Sequence, residues 1–245
     1  MTGETILITR PKGDEMALTD ALHVHGYRVI HEPLTEIFLR HTERQALHNA
    51  LLSEPDAVII TSRHGANALA LLSDLRDAYL ICIGEATAST AQSLGFTRVC
   101  NAGGNVQKLI EYIYASYDPE TRFLYVSGKH VRVDLDAVLA TQGMHVDRIV
   151  LYEAIASPQL SDTLVEQLRR GQIDAVTFLS QRTAHIFTAL LARAGAQQTV
   201  TGLHAAALSE TIAEPLVSWP WKGIHTAREA TLASLIECVD NIFHV

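Results

Sequence analysis

Hydroxyl residues in this chain repeatedly close short apolar runs at the point where a helical pattern begins. The fullest case is Ala57-Val58-Ile59-Ile60-Thr61-Ser62-Arg63. Four apolar residues between Pro55-Asp56 and Thr61-Ser62 suit a strand buried on both faces, and Ala66, Leu69, Ala70 and Leu72 give the next segment an inner face. Thr61 and Ser62 then sit at a helix start. Their hydroxyls can cap free backbone N–H groups, and the remaining N–H groups, with the positive end of the helix dipole, can seat a carboxylate or phosphate. Thr9-Arg10, Gly84, Ser127-Gly128, Ser180 and Ser209 fall at comparable places. Helix capping alone explains any single turn; recurrence is what favours a ligand. Arg10, Arg63, Lys129, Arg132 and Arg182 follow these ends and could pair with carboxylates, whereas a solvated cation at a helix start is slightly unfavourable.

The pattern is duplicated. Ala57–Arg63 aligns with Ala175-Val176-Thr177-Phe178-Leu179-Ser180-Gln181, 118 residues on (175 − 57). Ile6-Leu7-Ile8-Thr9-Arg10 falls at the same offset on Leu124-Tyr125-Val126-Ser127-Gly128. More loosely, Cys82-Ile83-Gly84-Glu85-Ala86-Thr87-Ala88 resembles Ala206-Ala207-Leu208-Ser209-Glu210-Thr211-Ile212. Three correspondences in one order argue for two similar halves.

At 245 residues, with 48% hydrophobic and 19% charged residues, the chain should fold throughout, as one large domain or two. A net charge of −8 and a pI near 5.8 argue against a general nucleic-acid or anionic-membrane binder, though a local anion-binding cleft is compatible with them. No apolar run approaches the roughly 20 residues of a membrane helix, and the first residues carry no basic or apolar leader. A soluble cytoplasmic protein is expected. Cys82, Cys100 and Cys238 form no CxxC pair and read as structural thiols; the twelve histidines include no HExxH. No metal site is expected, and phosphate-loop, dinucleotide and nucleophile-elbow motifs are missing.

Strand and helix signals alternate from end to end, which predicts parallel sheets covered by helices, with ligands beyond the C-terminal strand ends. The pattern predicts a first helix from Arg10-Pro11 to about His25 with Met16, Leu18, Ala21 and Leu22 inward, and a turn over Gly84–Thr87 followed by a helix over Ala88–Leu94. If the two halves face one another, the hydroxyl turns converge on one ligand.

Ile8-Thr9-Arg10-Pro11, Ile60-Thr61-Ser62, Ile83-Gly84-Glu85-Ala86-Thr87-Ala88 and Val146-Asp147-Arg148-Ile149-Val150-Leu151-Tyr152 resemble, in order and spacing, successive signatures of the uroporphyrinogen-III synthase family. The resemblance spans nearly the whole chain. It implies two flavodoxin-like parallel-sheet α/β domains facing each other across a cleft: 1–35 with 154–245, and 38–150, joined by paired extended linkers at 34–39 and 149–157. It implies a cyclising lyase, usually monomeric, that needs neither metal nor organic cofactor. Its partner would be the linear tetrapyrrole polycarboxylate hydroxymethylbilane, with no nucleic acid or membrane and at most a transient contact with the preceding pathway enzyme. The implied reaction expels the terminal hydroxyl as water, forms an azafulvenium-type cation, and closes at the substituted carbon of ring D through a spiro intermediate, inverting that ring.

Tyr152 matches the family tyrosine, either as the phenol that protonates the departing hydroxyl or as a filler of the domain junction. Carried over residue by residue, Thr61, Ser62, Arg63, Thr87, Ser180 and Thr211 would contact carboxylates. The strand-end turns add Arg10, Gly84, Ser127, Gly128 and Lys129, and the duplication adds Gln181. Two turns depart from the family pattern, Leu208-Ser209-Glu210-Thr211 and Leu179-Ser180, and Glu210 puts an acid beside a carboxylate seat. A cytoplasmic bilobal protein binding an anionic small molecule without chemistry is the competing reading, separated by product formation. A flavodoxin-like electron carrier would be coloured by its flavin.

Overall fold

The computed structural model describes residues 3–131 and 133–244; Arg132, one of the candidate cations, lies outside them. In chain order the elements are β1 (Thr5–Ile8), α1 (Met16–Val24), β2 (Arg28–His31), β3 (Thr35–Leu39), α2 (Arg44–Leu52), β4 (Ala57–Ile60), α3 (Arg63–Leu72), β5 (Tyr79–Cys82), α4 (Glu85–Ser93), β6 (Arg98–Asn101), α5 (Val106–Ser116) and β7 (Arg122–Gly128). There follow α6 (Leu135–Ala140), β8 (His145–Ala156), α7 (Asp162–Arg169), β9 (Ala175–Phe178), α8 (Gln181–Arg193), β10 (His204–Ala207), α9 (Glu210–Ala213), β11 (Gly223–Thr226) and α10 (Leu232–Phe243).

The chain forms two compact units, Met1–Glu36 with Ile155–Val245, and Ile37–Ala154, so it crosses between them within β3 and again within β8. The first unit holds a five-stranded parallel sheet, β11-β10-β9-β1-β2. Numbered within the unit, that is the flavodoxin-like order 2-1-3-4-5. The second sheet runs β3-β8-β7-β4-β5-β6, with every pair from β8 to β6 parallel. Counted from β7, the same 2-1-3-4-5 order returns. The strands at equivalent places are β1 and β7, β9 and β4, and β10 and β5, which are the pairs aligned in the sequence. Each sequence half therefore gives its first two strands, β1 and β2 or β7 and β8, to one sheet and its last three to the other.

Central strands β1, β4 and β9 are buried at every residue, because helices cover both faces of their sheets. Around β1, Ile6 and Ile8 pack with Leu18, Leu22, Leu235 and Val239, while Leu7 packs with Val176, Phe178 and Phe187 on the other face. In the second unit Val58 and Ile60 join Leu47, Leu69 and Leu72, while Ala57 and Ile59 join Leu109, Ile113 and Phe123.

Two boundaries differ from the sequence expectation. Helix α1 begins at Met16, because Pro11 opens a turn closed by the Asp14 N–H and Gly13 takes φ +90°, outside helical geometry. Met16 consequently faces outward, 64% exposed, while Leu18 and Leu22 are buried. Helix α4 starts at Glu85, with extended Gly84 as its N-cap; the Gly84 carbonyl accepts the N–H groups of Thr87 and Ala88, so the expected turn is the helix's first turn. A Cβ on Gly84 would lie 2.8 Å from Gly104 Cα, which explains glycine there.

Candidate active site

A cavity of about 360 Å³ opens at the C-terminal edge of the second unit's sheet. Strand β4 delivers Thr61 and Ser62 to it. Ser62, in extended geometry, caps α3 by accepting the Gly65 N–H at 3.1 Å. Strand β7 ends in an irregular register at Ser127/Gly128, and there the ring of Tyr152, carried by β8, lies directly over Gly128. A Cβ on Gly128 would sit 2.8 Å from ring atoms Cε2 and Cζ of Tyr152. The Tyr152 phenol is 2.6 Å from Ser62 Oγ, the Lys129 N–H donates to the Tyr152 carbonyl at 2.9 Å, and the His64 ring centroid stands 5.8 Å from the tyrosine's. Beside them Tyr125 Oη and Thr61 Oγ1 hydrogen-bond at 3.2 Å. Burial pushes the Tyr125 phenol above its ordinary range, against the lowering effects of the Thr61 bond and the Arg148 charge.

The opposite side is formed by Gly104, Asn105 and Val106 at the start of α5, where Asn105 Oδ1 accepts the Lys108 N–H at 2.9 Å. Two helix N-termini thus open on one cavity and favour an anion there. Ile83, Val131, Val133 and Leu135 supply an apolar wall, and His130 a further polar edge. The arrangement can hold a carboxylate-bearing ring system against an apolar surface with a phenol hydroxyl beside it.

Of the residues singled out from sequence, Thr61, Ser62, Gly128 and Tyr152 line this cavity, whereas Arg63, Gly84, Thr87, Ser127 and Lys129 do not. The Ser127 hydroxyl meets Arg148 and does not line this cavity. The residue is 1% exposed, and its Oγ accepts from Arg148 Nε at 2.9 Å. Lys129 Nζ pairs with Glu153 at 2.8 Å and, through that bond, draws the Glu153 carboxyl below its ordinary range. Thr87 is buried in the first turn of α4, and the Arg63 carbonyl accepts from Asn67.

In the first unit Ser180 caps α8, accepting the Thr183 N–H at 3.1 Å and meeting Thr183 Oγ1 at 2.6 Å. Gln181 donates to Glu214 at 3.0 Å, and Thr226 to Glu210 at 2.6 Å. Thr211 is exposed on α9, and Arg10 reaches Asp14 at 3.7 Å. The duplicated turns persist here, with the chain's own carboxylates among them.

Sequence reasoning missed Asn105, Tyr125, His130 and the apolar wall. For Asn105 a signal existed: Asn before an apolar helical run is an N-cap pattern. For Tyr125 the hint was a phenol inside a buried strand, which needs a hydrogen-bond partner. Among the described residues no group of three or more His, Cys, Asp or Glu side chains could hold a metal ion, and no helix is long and apolar enough to cross a membrane.

A family model described as uroporphyrinogen-III synthase HemD matches residues 16–237. The fold is similar to the crystal structure of uroporphyrinogen-III synthetase from Helicobacter pylori 26695, at TM-score 0.67 and 18% identity, covering 98% of this chain and 99% of that one. It is also similar to a mutant uroporphyrinogen III synthase from the extremely thermophilic bacterium Thermus thermophilus, at TM-score 0.59 and 18% identity, covering 98% of each chain. No curated protein matches in sequence.

Proposed function

The chain belongs to the uroporphyrinogen-III synthase family, and we propose that it closes hydroxymethylbilane to uroporphyrinogen III, with Tyr152 protonating the hydroxyl that leaves as water. The observation that carries the role of Tyr152 is its phenol, 2.6 Å from Ser62 at the start of α3, on the wall of the second unit's cavity. A phenol keeps its proton up to about pH 10, so it can act as an acid at neutral pH. The hydroxymethyl C–O bond breaks as the pyrrole nitrogen pushes electrons outward, and the phenol proton goes to the leaving oxygen. Ring D attacks the resulting cation at its substituted carbon, and rearrangement through the spiro intermediate inverts it. The proton finally lost from that ring returns to the phenolate. Water is eliminated, which makes the reaction that of a cyclising hydro-lyase.

The substrate supplies the electronic drive, so the protein's contribution is geometry. The N-termini of α3 and α5 take carboxylates, and Ile83, Val131, Val133 and Leu135 support the apolar rings. Arg10, Arg63, Gly84, Thr87, Lys129, Ser180, Gln181 and Thr211 are the proposed outer seats, those at Gln181 and Thr211 weakened by nearby Glu214 and Glu210. In this reading the protein works in the cytoplasm as a monomer, meeting its tetrapyrrole substrate and, transiently, the enzyme that makes it. The family match does not favour a binding protein without chemistry. The test is to add purified protein to freshly generated hydroxymethylbilane and separate the oxidised products by isomer. Mainly type III porphyrin supports the reading; type I formed at the spontaneous rate overturns it.

A further inference from the structure

Arg148 lies four residues before Tyr152 on β8 and reaches across to the end of β7. Its Nε donates to Ser127 Oγ at 2.9 Å, and its Nη2 donates to the Gly128 carbonyl at 3.3 Å and, at the limit of bonding distance, to that of Lys129 at 3.5 Å. The same guanidinium lies 5.9 Å from the centroid of the Tyr125 ring. A planar fork holds a hydroxyl and successive carbonyls from separate nitrogens in a fixed geometry, whereas an ammonium donates from one nitrogen only. The segment it holds is the irregular turn on which the tyrosine rests.

Two routes connect this fork to the reacting phenol. Through Gly128 it fixes the backbone under the Tyr152 ring, where even one added carbon would be 2.8 Å from the ring. Through Tyr125 it steadies the phenol bonded to Thr61, the neighbour of Ser62, which in turn meets the Tyr152 hydroxyl. The Asp136 carboxyl interacts with the Arg148 charge. Arg148 is not part of the cavity lining, so it has no direct hold on a ligand there.

We infer that Arg148 is a positioning residue for ring closure: by clamping Ser127, Gly128 and Lys129 it sets the phenol of Tyr152 at the leaving hydroxyl. The inference rests on the reading of Tyr152 as proton donor. A displacement of about 1 Å at a reacting group can cost up to 10²-fold, so Arg148→Met is expected to lower kcat about 10-fold while KM stays within about twofold. Arg148→Lys keeps the charge without the fork and is expected to recover only part of that loss.

The test is a double-mutant cycle with Tyr152→Phe, measuring kcat and KM separately on the full chain. If Arg148 acts through the phenol, Arg148→Met costs less than about twofold in kcat once Tyr152 is Phe, since coupled residues are non-additive. An equal loss in both backgrounds, or a loss confined to KM, overturns the role of Arg148 alone. A Tyr152→Phe enzyme with undiminished kcat overturns the proton-donor reading and this inference with it. Should Arg148→Met fail to fold, Ser127→Ala removes only the Nε acceptor. It is expected to lower kcat about threefold, again only when Tyr152 is present; no loss, or equal loss in both backgrounds, overturns the inference.

Discussion

Gly128→Ala probes the site with one carbon. Gly128 is not among the residues at positive φ, so alanine suits its backbone. The new Cβ would stand 2.8 Å from Cε2 and Cζ of Tyr152 and 3.1 Å from its Oη. Ordinary carbon contacts begin near 3.4 Å, so the ring must retreat by about 0.6 Å. Movement of that size along the Ser62 bond takes it from 2.6 Å to about 3.2 Å, beyond the usual range for a bond between hydroxyls. The lost bond is worth about 1 kcal/mol and the overpacking about 1–3 kcal/mol. Thermal unfolding should then fall by roughly 2–4 °C for each kcal/mol. The larger effect is expected in turnover, with kcat down about 10–100-fold and little change in substrate affinity. Stopped assays of type III product, paired with a melting curve, give both quantities. A folded Gly128→Ala enzyme with undiminished kcat would refute the argument that the ring's seat on Gly128 sets the reacting phenol.

Asn105→Asp keeps the cap of α5 but places a negative charge on the cavity, so KM should rise severalfold at low salt and less as salt is added; a KM indifferent to both charge and salt would remove α5 from the binding surface. In the first unit His204 Nδ1 and His225 Nε2 lie 3.0 Å apart, and burial holds both imidazoles below the ordinary 6.5, helped at His204 by Lys222 and opposed by Asp174. The unfolded chain therefore binds these protons first as pH falls, so their stabilising effect is full above pH 6.5 and is lost below it. His204→Gln should flatten the fall of the melting temperature on the acid side of pH 6.5; an unchanged slope would contradict this.

Alternating strand and helix signals made the parallel sheets legible, and the hydroxyl turns marked their C-terminal ends. The duplication was legible only where strands are central. β1, β4, β7 and β9 must be apolar on both faces and so kept a common pattern, whereas the outer strands β2, β6 and β11 are half-exposed and left no correspondence. Which hydroxyl faces a ligand was not legible. Ser62 follows buried β4 and lines the cavity, whereas Ser127 lies inside buried β7 and accepts from an arginine 21 residues away. The outward face of Met16 is not legible from sequence, because the φ of Gly13 sets the start of α1 and no periodicity reports that angle. That Asn105 caps α5 beside a cavity was not legible, since the cavity exists only once β4, β7 and β8 stand beside α5.

The most direct test is single-turnover ring closure by wild type and Tyr152→Phe, with substrate affinity measured alongside. Removing the acid alone should slow type III formation by about 10²-fold or more while the dissociation constant stays within about twofold. Equal losses in rate and affinity, or an unchanged rate, would contradict the assignment of Tyr152 as the proton donor.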